Sequence, residues 1–188
     1  MADRRAAIVA AAIDVIAEGG LGSFTQPRVA RRAGLRQSHL TYYFPTRDDL
    51  LFAVADEAVE RRVAALSAAA ATDGPQEKLA ALARVLSSPE QTRVLIALTQ
   101  SADQHEAVQA SFGALARRVA PLSASLLEAY DVVADEDSLA LLQATSTGIA
   151  VLALGRGGNF LPFAERLLVE LLAGLAARCA SGAPPAES

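Results

Sequence analysis

Apolar residues recur at helical spacing almost from one end of the chain to the other. From residue 4 to 19 they fall at 8, 9, 12, 13, 15 and 16, one stripe of a helix. Gly19, Gly20 and Gly22 close it. The next start is unusually well specified. Thr25 is placed to N-cap, Pro27 falls in the first turn where its missing N–H costs nothing, and Phe24 and Val29 stand at the two positions of a hydrophobic staple. That helix is expected over 26–33. Gly34 supplies a turn, a second short helix follows over 37–43, and Pro45 ends it. Thr46 is placed to cap a long helix over 47–71, with apolar residues at 50, 51, 54, 55, 58, 59, 63 and 66 and a Thr-Asp-Gly-Pro stop at 72–75. Further helices are expected over 76–87, 89–102, 105–120 and 122–133, with Pro121 marking either a break or a kink. Asp135, Glu136 and Asp137 open a helix to 154, since acids suit a helix N-terminus. A GRGGNF loop at 155–160 precedes a last helix over 161–180. The tail 182–188 is expected to be disordered. No strand pattern, repeat or heptad run interrupts this, so the chain reads as all-α with about nine helices.

Composition agrees. Of 188 residues 52% are apolar, mostly Ala and Leu rather than β-branched or aromatic types, which favours helix and gives enough material for a core. No uninterrupted apolar stretch reaches the roughly 18 residues of a membrane span, and the N-terminus lacks the pattern of a signal peptide. A cytoplasmic protein with no membrane partner is the expectation. The single cysteine, Cys179, excludes an intrachain disulfide and a cysteine-cluster metal site. No metal and no cofactor is expected.

Charge changes the picture. The net value of −4 alone argues against a nucleic-acid binder. Yet residues 1–47 hold seven arginines against three acids, +4, while 48–188 hold ten bases against eighteen acids, −8. A basic head on an acidic body is what a chain with one end facing phosphates requires. Within the head, the residues where helices 26–33 and 37–43 would meet are small or apolar: Val29, Ala30, Ala33, Leu35 and Leu40. Those left outward on the second helix are Gln37, Ser38, His39, Thr41, Tyr42 and the Tyr43 hydroxyl, donors and acceptors suited to base edges and phosphates of double-stranded DNA. Arg28, Arg36 and Arg47 flank them for phosphates. Thr25 and Gln26 stand at the start of the preceding helix, where a hydroxyl and free amides face a phosphate oxygen.

From about residue 5 to 54 the chain resembles the DNA-binding domain of the TetR (tetracycline repressor) family. The likeness rests on Ile8-Val9 with Ala11-Ala12, Gly20, Thr25, Val29-Ala30, Ala33-Gly34-Leu35, Leu40, Tyr42-Tyr43-Phe44-Pro45 and Asp48-Asp49-Leu50-Leu51. It departs at Arg36, where the family has a capping Ser or Thr, at Thr41, where it has Tyr, and at Arg47, where it has Lys. The resemblance implies phosphate contacts from Thr25, Tyr42, Tyr43 and Arg47, and base contacts from Gln37, Ser38, His39 and Thr41. It also implies a division into a helix-turn-helix domain, 1–47, and an effector-binding and dimerisation domain, 48–181. The effector compartment falls to the helices between 76 and 133, with Thr99, Gln100, His105, Gln143 and Thr147 as candidate lining. A scarcity of buried-looking charge suggests a neutral or apolar small molecule. For pairing, the nearly uncharged stretch 139–154 and the last helix offer Leu152, Leu167, Leu168, Leu171 and Leu175, with Ala144, Gly148, Ala173 and Gly174 permitting close approach in a homodimer.

The function expected is a ligand-responsive repressor, a homodimer released from a pseudo-palindromic operator by its effector. Two other readings compete. A helical interaction module would lack the steep salt dependence of a DNA reader. An enzyme would have to work with only His39, His105 and Cys179 as nucleophile-base material, and the GRGG loop lacks the lysine and preceding strand of a phosphate loop. The expectation is therefore not an enzyme.

Overall fold

The computed structural model describes residues 2–156 and 158–181. The expectation for the tail lies outside them. Among the described residues the chain forms nine α-helices and no strand. They are α1 (Ala2–Gly19), α2 (Gln26–Arg32), α3 (Gln37–Tyr43), α4 (Arg47–Ala70), α5 (Pro75–Leu86), α6 (Pro89–Ala102), α7 (Glu106–Glu128), α8 (Glu136–Arg156) and α9 (Leu161–Ser181). A short 3-10 turn, Leu21–Ser23, joins α1 to α2.

Of the two readings open at Pro121, the continuous helix is the one observed: α7 runs through that residue and stops at Glu128, short of 133. The stop is chemical rather than steric. Asp131 takes a left-handed conformation (φ 57°), the Val132 amide donates to the Leu127 carbonyl at 3.0 Å, and the Asp131 amide donates to Glu128 at 3.1 Å. This is a Schellman ending built on an aspartate where glycine is usual, and Val132 is buried beside it.

The chain resolves into two compact units. The first comprises residues up to 62 together with 90–115. Its core joins Ile8, Ile13 and Ile16 of α1, Val29 and Ala30 of α2, Leu40 of α3, Leu50, Leu51 and Val54 of α4, and Val94, Leu98 and Val108 of α6 and α7. Phe24 and Phe44, in the connections, are 1% exposed and close it. The three N-terminal helices are thus not a free-standing head. Seven-residue helices cannot persist alone, and here they share a core with residues more than fifty positions away.

The second unit comprises 63–89 and the residues from 116 onward. Leu79, Ala83 and Leu86 of α5, Leu142, Ile149 and Ala153 of α8, and Ala164, Leu168, Leu172 and Leu175 of α9 form its core. The Tyr130 hydroxyl donates to the Pro75 carbonyl at 2.9 Å, tying the end of α7 to the start of α5. By length and composition α8 could cross a membrane, with a mean hydropathy of 1.5 over its most apolar window. It is interrupted by Gln143 and Thr145-Ser146-Thr147, and one face packs into this core while Leu141, Val151 and Leu152 remain exposed.

Candidate nucleic-acid interface

The pair α2–α3 is set by three local devices, and a fourth that the sequence offers does not form. Phe24 and Val29 are both buried, as a staple requires. Thr25 has the extended backbone of an N-cap (φ −128°, ψ 144°), but its side chain makes no capping bond and the residue is exposed. The turn after α2 is a Schellman ending at Gly34. Its φ is +68°, the Leu35 amide donates to the Ala30 carbonyl at 2.9 Å, and the Gly34 amide donates to Arg31 at 3.2 Å. Finally, Thr46 and Asp49 form a reciprocal capping box at the start of α4. The Asp49 amide donates to Thr46 Oγ1 at 3.0 Å, and the Thr46 amide and hydroxyl donate to Asp49 Oδ2 at 2.9 and 2.7 Å. Those bonds from Thr46 hold the Asp49 carboxyl below its ordinary pKa.

On α3 only Leu40 is buried. Gln37, Ser38, His39 and Tyr42 are exposed, Tyr42 to 76%, whereas Thr41 and Tyr43 are half-buried. The two tyrosine rings meet edge to face at 5.3 Å. The helix therefore presents a continuous polar surface anchored by one apolar side chain.

The side chains expected at the interface divide by what already engages them. Gln26 is committed in part, since Nε2 donates to the Phe44 carbonyl at 2.9 Å and ties the start of α2 to the end of α3. The Thr41 hydroxyl turns back on its own helix, 3.2 Å from the carbonyls of Gln37 and Ser38, which leaves only its lone pairs for a base. Arg47 lies over the Phe24 ring at 5.1 Å and its Nε donates to the Phe24 carbonyl at 3.2 Å. That guanidinium braces α4 against the start of α2 as well as facing solvent. Arg28 reaches Ser23 Oγ at 3.3 Å. Arg36 is the N-cap residue of α3, with no side-chain cap bond, and is exposed.

Arg32 explains how the head remains basic. It pairs with Glu18 at 2.7 Å and with Asp14 at 3.2 Å, and Glu18 first, then Asp14, raises its pKa above the usual value. One arginine on the α1–α2 side thereby answers two acids, which leaves Arg28, Arg31 and Arg36 with no ion pair among the described residues. Arg31 was not singled out from the sequence. Neither was Arg4, which the fold places beside α3.

Residues 8–54 match the family model described as bacterial regulatory proteins, tetR family. This N-terminal segment is similar to the DNA-binding region of the TetR family. Over most of its length the chain also shares the fold of solved regulators. A TetR transcription regulator from Haloarcula marismortui is 23% identical, with 93% of this chain and 99% of that one covered and a TM-score of 0.78. A transcriptional regulator from Rhodococcus sp. Rha1 is 23% identical, with 92% and 96% covered and a TM-score of 0.77. The multidrug binding protein EbrR, complexed with proflavin, is 26% identical, with 89% and 99% covered and a TM-score of 0.62. No curated protein matches the chain.

The candidate effector residues are divided between the two compact units. Thr99, Gln100 and His105 belong to the first unit, Gln143 and Thr147 to the second. Thr99, Gln100, Gln143 and Thr147 are exposed, and the hydroxyls of Thr99 and Thr147 donate to Leu95 and Gln143 one turn back. His105 faces the first turn of α4 instead, with its ring 5.7 Å from Phe52 and Nε2 4.0 Å from Asp48 Oδ1. The expectation of a neutral effector rested on scarce buried charge, to which Arg62 is an exception. It is 8% exposed, burial pushes its pKa down, and it lies 3.5 Å from Gln91 Oε1. A helix-period reading of α4 could have found it as a cation one position from the apolar stripe.

Two of the pairing residues are corrected as well. Leu168 and Leu175 are 0% and 2% exposed in the chain's own core, so neither is available to a second copy. Leu167 and Leu171 are partly buried against the same core. Leu152 remains exposed, and Val169, Val151 and Leu141 join it. The wide leucine stripe of α9 faced inward because α5 and α8 had to be covered first.

Proposed function

We propose that this DNA-binding transcription regulator is a ligand-responsive repressor, cytoplasmic and homodimeric, whose heads (residues 1–47) read the two halves of a pseudo-palindromic operator. The observation that carries the reading is α3: one side chain buried, a continuous polar face outward, and arginines around it that the head's own acids do not neutralise. Gln37, Ser38 and His39, in the first turn and a half, reach furthest into the major groove in this arrangement. Thr25, Arg28, Arg36, Tyr42, Tyr43 and Arg47 hold phosphates.

Pairing through α8 and α9 is supported by Leu141, Val151, Leu152 and Val169, apolar and exposed. Gly148 and Gly174 point the same way. A Cβ built on either meets nothing within 4 Å, so their own chain does not require them to be glycine. Small residues on an apolar helix pair suit close approach by a second copy. The likeness to a protein complexed with proflavin supports a small-molecule effector. Because α4 is continuous from the first unit into the second, an effector that displaces its far end changes the spacing of two paired heads. The effector must then bind the two states with different affinity.

The test is selection of duplexes from a random pool, followed by footprinting and by light scattering of the free protein. A two-fold symmetric sequence protected over half-sites a helical turn or a multiple apart, bound by a dimer with a steep salt slope, is the expected result. Enrichment of no duplex, or salt-insensitive binding, refutes the proposal.

A further inference from the structure

Where the first turn of α1 meets α3, Arg4, Leu35, His39, Tyr42 and Tyr43 line an open recess of about 170 Å³. Three of these residues belong to the reading helix. Arg4 comes from the other end of the head's sequence, and nothing in the packing of the head asks for a cation there. It is exposed, and the N-terminal turn of a helix disfavours positive side chains. Its neighbour differs. The Arg5 guanidinium lies 4.9 Å from the Phe44 ring centre, a cation–π contact that fixes the start of α1 against the α3–α4 connection. Arg4 is thereby delivered to the rim of the recess by a helix whose first turn is anchored. The recess is lined by one leucine, two tyrosines, a histidine and Arg4, and its surface is mostly apolar.

We propose that this recess seats one phosphodiester of the operator backbone with its deoxyribose, and that Arg4 is its principal phosphate ligand. At about 170 Å³ and open to solvent, the recess has room for a phosphate and its sugar. The apolar walls meet the sugar, and Arg4, with the tyrosine hydroxyls, supplies donors to the non-bridging oxygens. The recess continues the polar face of α3, so a duplex seated on Gln37 and Ser38 brings its backbone past it. This inference rests on the DNA-reading proposal above and adds a contact from outside the helix-turn-helix.

The experiment uses the full-length protein and the duplex it selects from the random pool. The salt dependence of binding is measured for wild type, Arg4→Ala and Arg4→Lys. Arg4→Ala is expected to reduce the slope of log K against log salt by about 0.9 per head, about 1.8 for a dimer, and to weaken selected and unrelated duplexes alike. Arg4→Lys is expected to restore the slope. A scan of single neutral methylphosphonates along the duplex is expected to show one position per half-site that penalises wild type and not Arg4→Ala. A steep wild-type slope that Arg4→Ala leaves unchanged, or no methylphosphonate position that distinguishes the two proteins, overturns the assignment while leaving the DNA reading intact. A wild-type protein that selects no duplex sinks both.

Discussion

The reading helix hangs on one side chain, and removing that side chain has a calculable effect. Leu40 is 0% exposed and is the only buried residue of α3. Seven residues make a helix about 10 Å long, far below the length at which a helix holds by itself. Leu40→Ala takes away three carbons, about 2.4 kcal/mol at ~0.8 per methylene, and leaves a cavity that brings the total into the usual range of about 2–5 kcal/mol. A central value of ~3 kcal/mol multiplies the open population of the helix about 150-fold. Amide hydrogen exchange reads this directly. The α3 amides should exchange on the order of 100-fold faster, while those of α9, which belong to the other core, stay within about threefold of wild type. Leu40→Met, which conserves volume, should cost below ~1.5 kcal/mol and change exchange by less than about tenfold. DNA affinity should fall only by the fraction of heads that are open, so the loss should be slight in the cold and steep near the melting of the first unit. The reasoning is refuted if α3 protection changes less than fivefold, or if α9 amides accelerate as much as those of α3.

Other substitutions separate roles that look alike in sequence. Arg36→Ala should flatten the salt slope by about 0.9 per head without lowering the melting temperature, whereas Arg47→Ala should do both, since its stacking on Phe24 adds about 0.5–1 kcal/mol; salt titration and thermal melting together decide. Gly34→Ala should destabilise the first unit by about 1 kcal/mol through its positive φ alone, because a Cβ there meets nothing within 4 Å, and Gly34→Asn should cost less; denaturant unfolding measures both. Thr46→Ala removes the α4 cap and should cost about 1 kcal/mol at neutral pH. The Asp49 carboxyl has a folded pKa below its unfolded one, so the stability it contributes is present above the unfolded value and is lost as pH falls through the folded value; the wild-type and Thr46→Ala melting curves should converge in acid, and a constant gap down to pH 2 would contradict the box. Leu152→Glu should yield monomers by light scattering with little change in melting, whereas Leu168→Ala should lower the melting temperature first, at a cost of about 2–5 kcal/mol.

The sequence by itself determined most of what depends on near neighbours along the chain, the side-chain cap expected of Thr25 being the exception. Phe24 with Val29, the Gly34 turn, the Thr46 cap, the Thr-Asp-Gly-Pro stop and the acids before α8 act over three to five residues, so their chemistry can be read without knowing what lies across the fold. The polar face of α3 was legible for the same reason, since a seven-residue helix has only one side left once Leu40 is turned inward. At Pro121 the local rule left a break and a continuous helix both open, and α7 continues through that residue and ends only near Asp131, which takes a left-handed conformation. Tertiary structure alone decided what depends on distant residues. It turned Leu168 and Leu175 inward, buried Arg62, sent His105 to Asp48 and committed Arg32 to Asp14 and Glu18. An apolar stripe announces that a face will be covered, but not by what. α9 had a choice between its own α5 and α8 and a second copy, and the energy of burial is indifferent to which surface supplies it. Arg4 is the same case in reverse: nothing near it in sequence marks it, and only the packing of α1 brings it to the reading helix.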